Sequence, residues 1–302
     1  MKLGGHETFY PRHGWLTKGL LHLSDSNVGT FSSPDVADDL GVGRNMAKSI
    51  GWWLNATGLA ERTKTNGRLQ ISKFGQVIAE RDPFMVRLGT LWLIYVTMQT
   101  ARTGTTLPWF FEPQRMKRFD RTALIEDLTE ELTRRKGKPP STKSVQREVA
   151  AVLQTFAVSV PKPIGDPEDN LGSPFHRLSL LRHLRSTDRF ETGEPTPVPV
   201  EALGLLLSAL GLSRPSQSLE QGVDLTIPGS GPILLRAGSI LRCKRENLLD
   251  MAADGAKVLT PSRMNLRFLA SERVITLKSA QAADWATLFF DRMIQSDREK
   301  AA

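Results

Sequence analysis

The chain has 302 residues, 40% of them hydrophobic and 24% charged, and its 40 Lys and Arg against 32 acids give a formal net charge of +8. That length is enough for two domains, and the cationic balance favours an acidic partner, of which nucleic acid is the commonest. The single cysteine, Cys243, excludes an internal disulfide, a cysteine-caged zinc and a thiolate-held iron–sulfur cluster, and it suits a reducing cytoplasm.

The chain opens with Gly4-Gly5-His6-Glu7-Thr8-Phe9-Tyr10-Pro11-Arg12-His13-Gly14-Trp15-Leu16. Polar groups alternate with aromatics, and the apolar core of a signal peptide is missing. His6, Glu7 and His13 are candidates for metal ligation or an acid–base pair. The alternative is a packed arm whose Arg12 and His13 hydrogen-bond to the body. A helix is expected from Trp15 to about Leu23.

Ser33-Pro34-Asp35 is a helix start, with a Ser cap, Pro at the first helical position and an acid in the first turn. Gly41-Val42-Gly43 breaks that helix. A second follows from Arg44 to about Ala56. At roughly 100° per residue, Met46, Ala47, Ile50, Trp53 and Leu54 fall on one side. Arg44, Asn45, Lys48, Ser49, Trp52 and Asn55 fall on the other. Two short strands then flank Asn66-Gly67, a hairpin signal because both residues can take positive φ. Ser72 caps a third helix carrying Phe74, Val77 and Ile78. Helix, turn, helix, basic hairpin, helix is the order of a winged helix-turn-helix, whose second helix can enter a DNA major groove while the hairpin touches the backbone. The expected DNA contacts are Arg44, Asn45, Lys48, Ser49 and Trp52 from the helix, with Arg62, Lys64 and Arg68 from the hairpin. A winged helix used only for protein contacts is the alternative.

After Asp82-Pro83, Phe84 to Thr100 reads as a buried helix, and its most apolar run, Leu88 to Met98, is too short to span a bilayer. Helices are expected over Phe119–Lys136 and Val145–Val158. The basic turn between them, Arg134 to Lys138, is either a second nucleic-acid element or the solvated tip of a helical hairpin. Pro161 to Pro167 has the composition of a domain boundary. Just beyond it, Glu168 and Asp169 are candidate ligands for a divalent metal, the usual helper of phosphodiester cleavage; solvated or capping acids are the alternative. Pro199–Leu212 and Gly238–Ala253 read as helices, Leu266–Leu269 and Val274–Leu277 as a hairpin around Glu272-Arg273, and Trp285–Gln295 as a closing helix. Arg242 and Lys244 flank Cys243 and would lower its pKa if they reach the sulfur. There is no phosphate-binding Gly loop and no dinucleotide fingerprint, so no nucleotide cofactor is expected.

The fold class expected is mainly α with small β-hairpins (α+β). Residues 1–82 would form the arm and winged helix-turn-helix, 83–160 a helical middle region, and 161–302 a smaller C-terminal α+β domain.

Three blocks carry a family resemblance: Gly5 to Leu16, Leu40 to Met46 with Trp53 after it, and Glu168-Asp169-Asn170-Leu171 followed by Ser173-Pro174. They resemble, in order, a bacterial domain-of-unknown-function family found in gene clusters for DNA phosphorothioation, where sulfur replaces a non-bridging phosphate oxygen. The resemblance covers nearly the whole chain. It implies a cytoplasmic DNA-binding protein of a modification and phage-defence system, of which one member is regarded as the DNA-nicking component. Its implied partners are double-stranded DNA, a cysteine desulfurase, an ATPase and a sulfur-transfer protein, with room for a homodimer and no membrane. Its chemistry would use Mg²⁺ or Mn²⁺ with His6, Glu7, His13, Glu168 or Asp169; a metal-free route would run through Tyr10. The competing function is a non-catalytic DNA-recognition subunit or transcriptional regulator.

Overall fold

The computed structural model describes residues 1–26, 28–101, 105–112, 118–158, 172–212, 222–259 and 263–301. The chain is mixed α+β. Among the described residues its strands form three small sheets set around a helical core.

The first sheet belongs to residues 15–81. α1 (Trp15–Ser26), α2 (Pro34–Asp39) and α3 (Arg44–Ala56) precede two strands, β2 (Ala60–Arg62) and β3 (Leu69–Ile71), and α4 (Lys73–Arg81) follows. β1 (Val28–Gly29) pairs antiparallel with the other edge of β3, giving the order β1-β3-β2. The Ser72 hydroxyl caps α4 by accepting from the Gly75 N–H at 2.9 Å, as the sequence predicts. The hairpin tip differs from the expected tight turn. Gly67 takes a φ of 68°, but Asn66 does not have positive φ. Its carboxamide oxygen instead accepts from the Thr63 hydroxyl at 2.6 Å and the Arg68 N–H at 3.1 Å, so a side chain closes the loop that two left-handed residues would have closed.

α5 is shorter than the expected Phe84–Thr100 helix, running Leu88–Thr100. Asp82 explains the late start: its carboxylate accepts from the Val86 and Arg87 N–H groups and the Thr90 hydroxyl, and Met85 turns at a φ of 52°. α5 is apolar on nearly every side, and every residue from Leu91 to Val96 is buried. A helix apolar all round must be covered all round. α6 (Leu107–Phe110), α9 (Val200–Gly211) and α12 (Ala282–Ala301) supply that cover. α12 also packs on α4. Its Arg292 forks onto the buried Glu201 carboxylate at 2.6 and 3.0 Å.

The second sheet has the order β4-β7-β6-β5, from Arg118–Asp120, Arg189–Thr192, Leu181–Leu184 and Ala157–Val158. It draws strands from both sides of residue 160. Phe119 lies in β4, so α7 begins at Arg121 (to Lys136), where Asp120 caps it. α8 runs Thr142–Phe156. In the third sheet, β8 (Asp224–Pro228), β10 (Glu272–Lys278) and β9 (Met264–Leu269) lie in that order. Ala270 and Ser271, both with positive φ, make the turn of this hairpin. The helix expected over Gly238–Ala253 is two, α10 (Pro232–Leu241) and α11 (Arg245–Val258), broken where Arg242 takes a φ of 54°. No glycine or proline marks that break in the sequence. Cys243 beside it is half-buried, and burial pushes its thiol up to about 11. The flanking cations do not activate it. No helix is long and apolar enough to cross a membrane among the described residues.

Candidate nucleic-acid interface and the arm behind it

Helical angle sorts the α3 residues well at its N-terminal end and less well further on. Arg44, Asn45 and Lys48 are exposed. Ser49, expected on the same open side, is fully buried, and its hydroxyl donates to the His6 carbonyl at 2.9 Å. Trp52 is half-buried and lies against the N-terminal arm. A Cβ on Gly5 would fall 2.2 Å from its Nε1, and its ring meets the His6 ring edge-on at 5.3 Å. The Trp53 indole N–H donates to the Phe9 carbonyl at 3.1 Å. The arm therefore covers the second half of α3 and leaves the first two turns open. From the hairpin, Arg62, Lys64 and Arg68 are all exposed. Arg62 donates to the Gly67 carbonyl and Arg68 to the Thr30 hydroxyl, contacts that hold both stems upright without neutralising either charge.

Because Trp52 packs on the arm, Trp52→Ala is expected to lower stability by about 2–3 kcal/mol, less than the roughly 3–5 of a fully buried aromatic. Its salt-dependence slope for DNA binding should be unchanged. A thermal melt and a binding titration on one preparation check this; an unchanged Tm would remove the arm contact from consideration.

The arm is held from behind by a residue that periodicity did not single out. Glu148 on α8 is 2% exposed. It accepts from the Gly4 N–H at 2.8 Å, from His6 Nε2 at 3.0 Å and from the Thr106 hydroxyl. Burial alone would raise this carboxyl; the hydrogen bonds and charge of His6, with Thr106 and the Gly4 N–H, outweigh it and hold the group below its ordinary value. The signal was present in the sequence. Glu148 falls among Val145, Val149, Val152 and Phe156 on the buried face of α8, and an acid on an apolar stripe needs a partner.

The other expected site residues divide. His6 is buried against Glu148, with Nδ1 left without a hydrogen-bond partner. Glu7 is half-buried at a φ of 51°, and His13 is exposed. Tyr10 is half-buried. His6 thus turns to α8 rather than to Glu7 or His13. The His13 N–H donates to the Gly172 carbonyl at 2.9 Å, which brings the arm to the segment three residues past Asp169. Glu168 and Asp169 themselves lie outside the described residues. Among the described residues no group of three or more His, Cys, Asp or Glu side chains is placed to hold a metal ion, so no step is derived through one.

Residues 3–226 match the family described as "Protein of unknown function (DUF4007)". No curated protein matches the chain. Two solved structures are similar in fold over 98% of this chain and 87% of theirs, each at 20% identity. One is described as the magnesium ion-bound SspB crystal structure, with a TM-score of 0.77. The other is described as the SspB crystal structure, with a TM-score of 0.76.

Proposed function

The chain belongs to the DUF4007 family, and from that premise we propose that it is a DNA-binding component of a phosphorothioation system that nicks one strand to admit sulfur. The observation that carries the reading is the cationic surface of residues 15–81. Arg44, Asn45 and Lys48 stand exposed on the first turns of a helix that follows a helix and a turn, and Arg62, Lys64 and Arg68 stand on the hairpin after it. This is the element order of a winged helix, in which the N-terminal residues of the second helix reach base edges and phosphates. We read residues 1–82 as the DNA-binding unit on this basis, with 83–160 and 161–302 as the helical and C-terminal units behind it. The sequence resemblance to a phosphorothioation family and the fold shared with SspB support the system; its cysteine desulfurase, ATPase and sulfur-transfer protein are the proposed partners.

Cutting needs an acid–base group near the phosphate, and the cationic helix turns offer none. The chemistry is placed instead where the arm meets the segment before Ser173, with Glu7, His13 and Asp169 as candidates. His6, buried on Glu148, holds the arm in place. One of the similar structures carries magnesium, so a divalent ion at Glu168 and Asp169 belongs to the proposal.

Incubating the protein with supercoiled plasmid, with and without Mg²⁺ or Mn²⁺, tests it. Open circles that accumulate with time are the expected product. Tight, salt-sensitive binding with no open circles under any condition would leave the second reading, a recognition subunit or regulator, which the exposed cations support equally.

A further inference from the structure

His176 sits in the 3-10 turn Pro174–Leu178, and its ring is held in a defined state. Nε2 lies 2.8 Å from the Gln154 carbonyl on α8. A carbonyl only accepts, so Nε2 carries the hydrogen and, on the neutral ring, Nδ1 carries the lone pair. Nδ1 is turned toward Gly172, where a Cβ would lie 2.7 Å from it. Gly172 has a φ of +65° as well, so glycine is required both by the backbone and by the ring. The Gly172 carbonyl accepts the His13 N–H, which sets the arm beside the same ring.

The turn itself is fixed. Phe175 and Leu178 are fully buried, the Ser173 hydroxyl accepts the Phe175 N–H, and the His176 N–H donates to the Ser173 carbonyl. The imidazole remains half-buried, with an edge open to solvent. Burial lowers its proton affinity, and the Gln154 carbonyl offsets part of that. Of the charged groups around it, Arg177 donates to the Met85 and Val86 carbonyls and His13 lies on the arm. No described carboxylate bonds the ring. The imidazole is therefore neutral near pH 7, the state in which it can accept a proton.

We infer that His176 is a general base of the strand-cutting site, a role that rests on the nicking proposed above. Its Nδ1 takes a proton from a water while that water's oxygen bonds to phosphorus. The phosphorus–oxygen ester bond opposite breaks, and the departing oxygen takes a proton from solvent.

The test uses the full chain on supercoiled plasmid at saturating DNA, from pH 5 to 9. His176→Ala is expected to nick about 10²–10³-fold more slowly, the range of a lost acid–base group, with DNA affinity kept. Its rate should lose the acidic limb of the wild-type profile, and added imidazole should restore part of it. His176→Gln keeps a donor for the Gln154 carbonyl but no base, so it should fold normally and be as slow; it decides the matter if the alanine variant melts early. Rates within twofold of wild type for the glutamine variant, an unchanged pH profile, or a loss that imidazole does not rescue would each overturn the inference while nicking itself stands. A wild-type protein that makes no nicks overturns the nicking proposal, and this role with it.

Discussion

Replacing Glu148 with alanine is expected to cost about 3–5 kcal/mol, which for a chain of this size is a fall in Tm on the order of 10 °C. The loss is large because three donors from three parts of the chain share one carboxylate: the Gly4 N–H, His6 Nε2 and the Thr106 hydroxyl. Alanine leaves all three buried without an acceptor, and each such group costs about 1–3 kcal/mol. Glu148→Gln should be far milder. Its carbonyl can keep the Gly4 and His6 bonds, and its amide can face the Thr106 hydroxyl, which is able to reverse its role. The pH dependence follows from the carboxyl's depressed value. Such a group contributes fully above its ordinary pKa of 4.5, and its contribution is lost as pH falls through the lower folded-state value. Wild-type stability should therefore fall below about pH 4.5 more steeply than that of Glu148→Gln. Calorimetry across pH 3–7 reads both; an alanine variant melting within about 2 °C of wild type would mean the carboxylate does not hold the arm.

Arg44→Ala combined with Lys48→Ala is expected to weaken DNA binding roughly 60-fold at 0.1 M salt. Each phosphate neutralised contributes about −0.9 to the slope of log affinity against log salt. Losing two contacts should reduce that slope by about 1.8, and extrapolating the same term to 0.1 M gives the affinity loss. Both residues are exposed and away from the buried face of α3, so Tm should not change. Fluorescence anisotropy from 50 to 300 mM salt measures the slope, and an unaltered slope would place the interface elsewhere. Nicking at saturating DNA should recover, since the pair acts through occupancy.

The short-range features of residues 33–81 are legible because local chemistry decides them. Pro34 and the Gly41–Gly43 break set α2, Ser72 caps α4, and the alternation of Leu69 and Ile71 sets β3. What was not legible depends on residues far apart in the chain. Ser49 and Trp52 lie on the polar side of α3 by angle, but an arm some forty residues earlier covers them. β6 and β7 escape notice because each is four residues long and takes its place from the sheet rather than from its own pattern. The break between α10 and α11 falls at Arg242-Cys243, residue types that carry no turn preference. The same limit applies to the site: His6 and His13 stand out in a dense opening stretch, whereas Glu148 and His176 acquire their surroundings only when α8 meets the arm and the Pro174–Leu178 turn.

The packing of α12 on α4 has a consequence for how the protein is made. Residues 73–81 rest against residues 282–301, with Arg81 reaching Asp291 and Arg87 reaching Asp297 across the seam. Translation at about 5–20 residues per second delivers α12 roughly 10–40 s after α4 has left the ribosome. Throughout that interval the nascent DNA-binding segment carries an uncovered flank. It is therefore a natural client for ribosome-associated chaperones, and a message cut short before codon 282 would yield a polypeptide bearing the cationic helix but lacking the surface that finishes its fold.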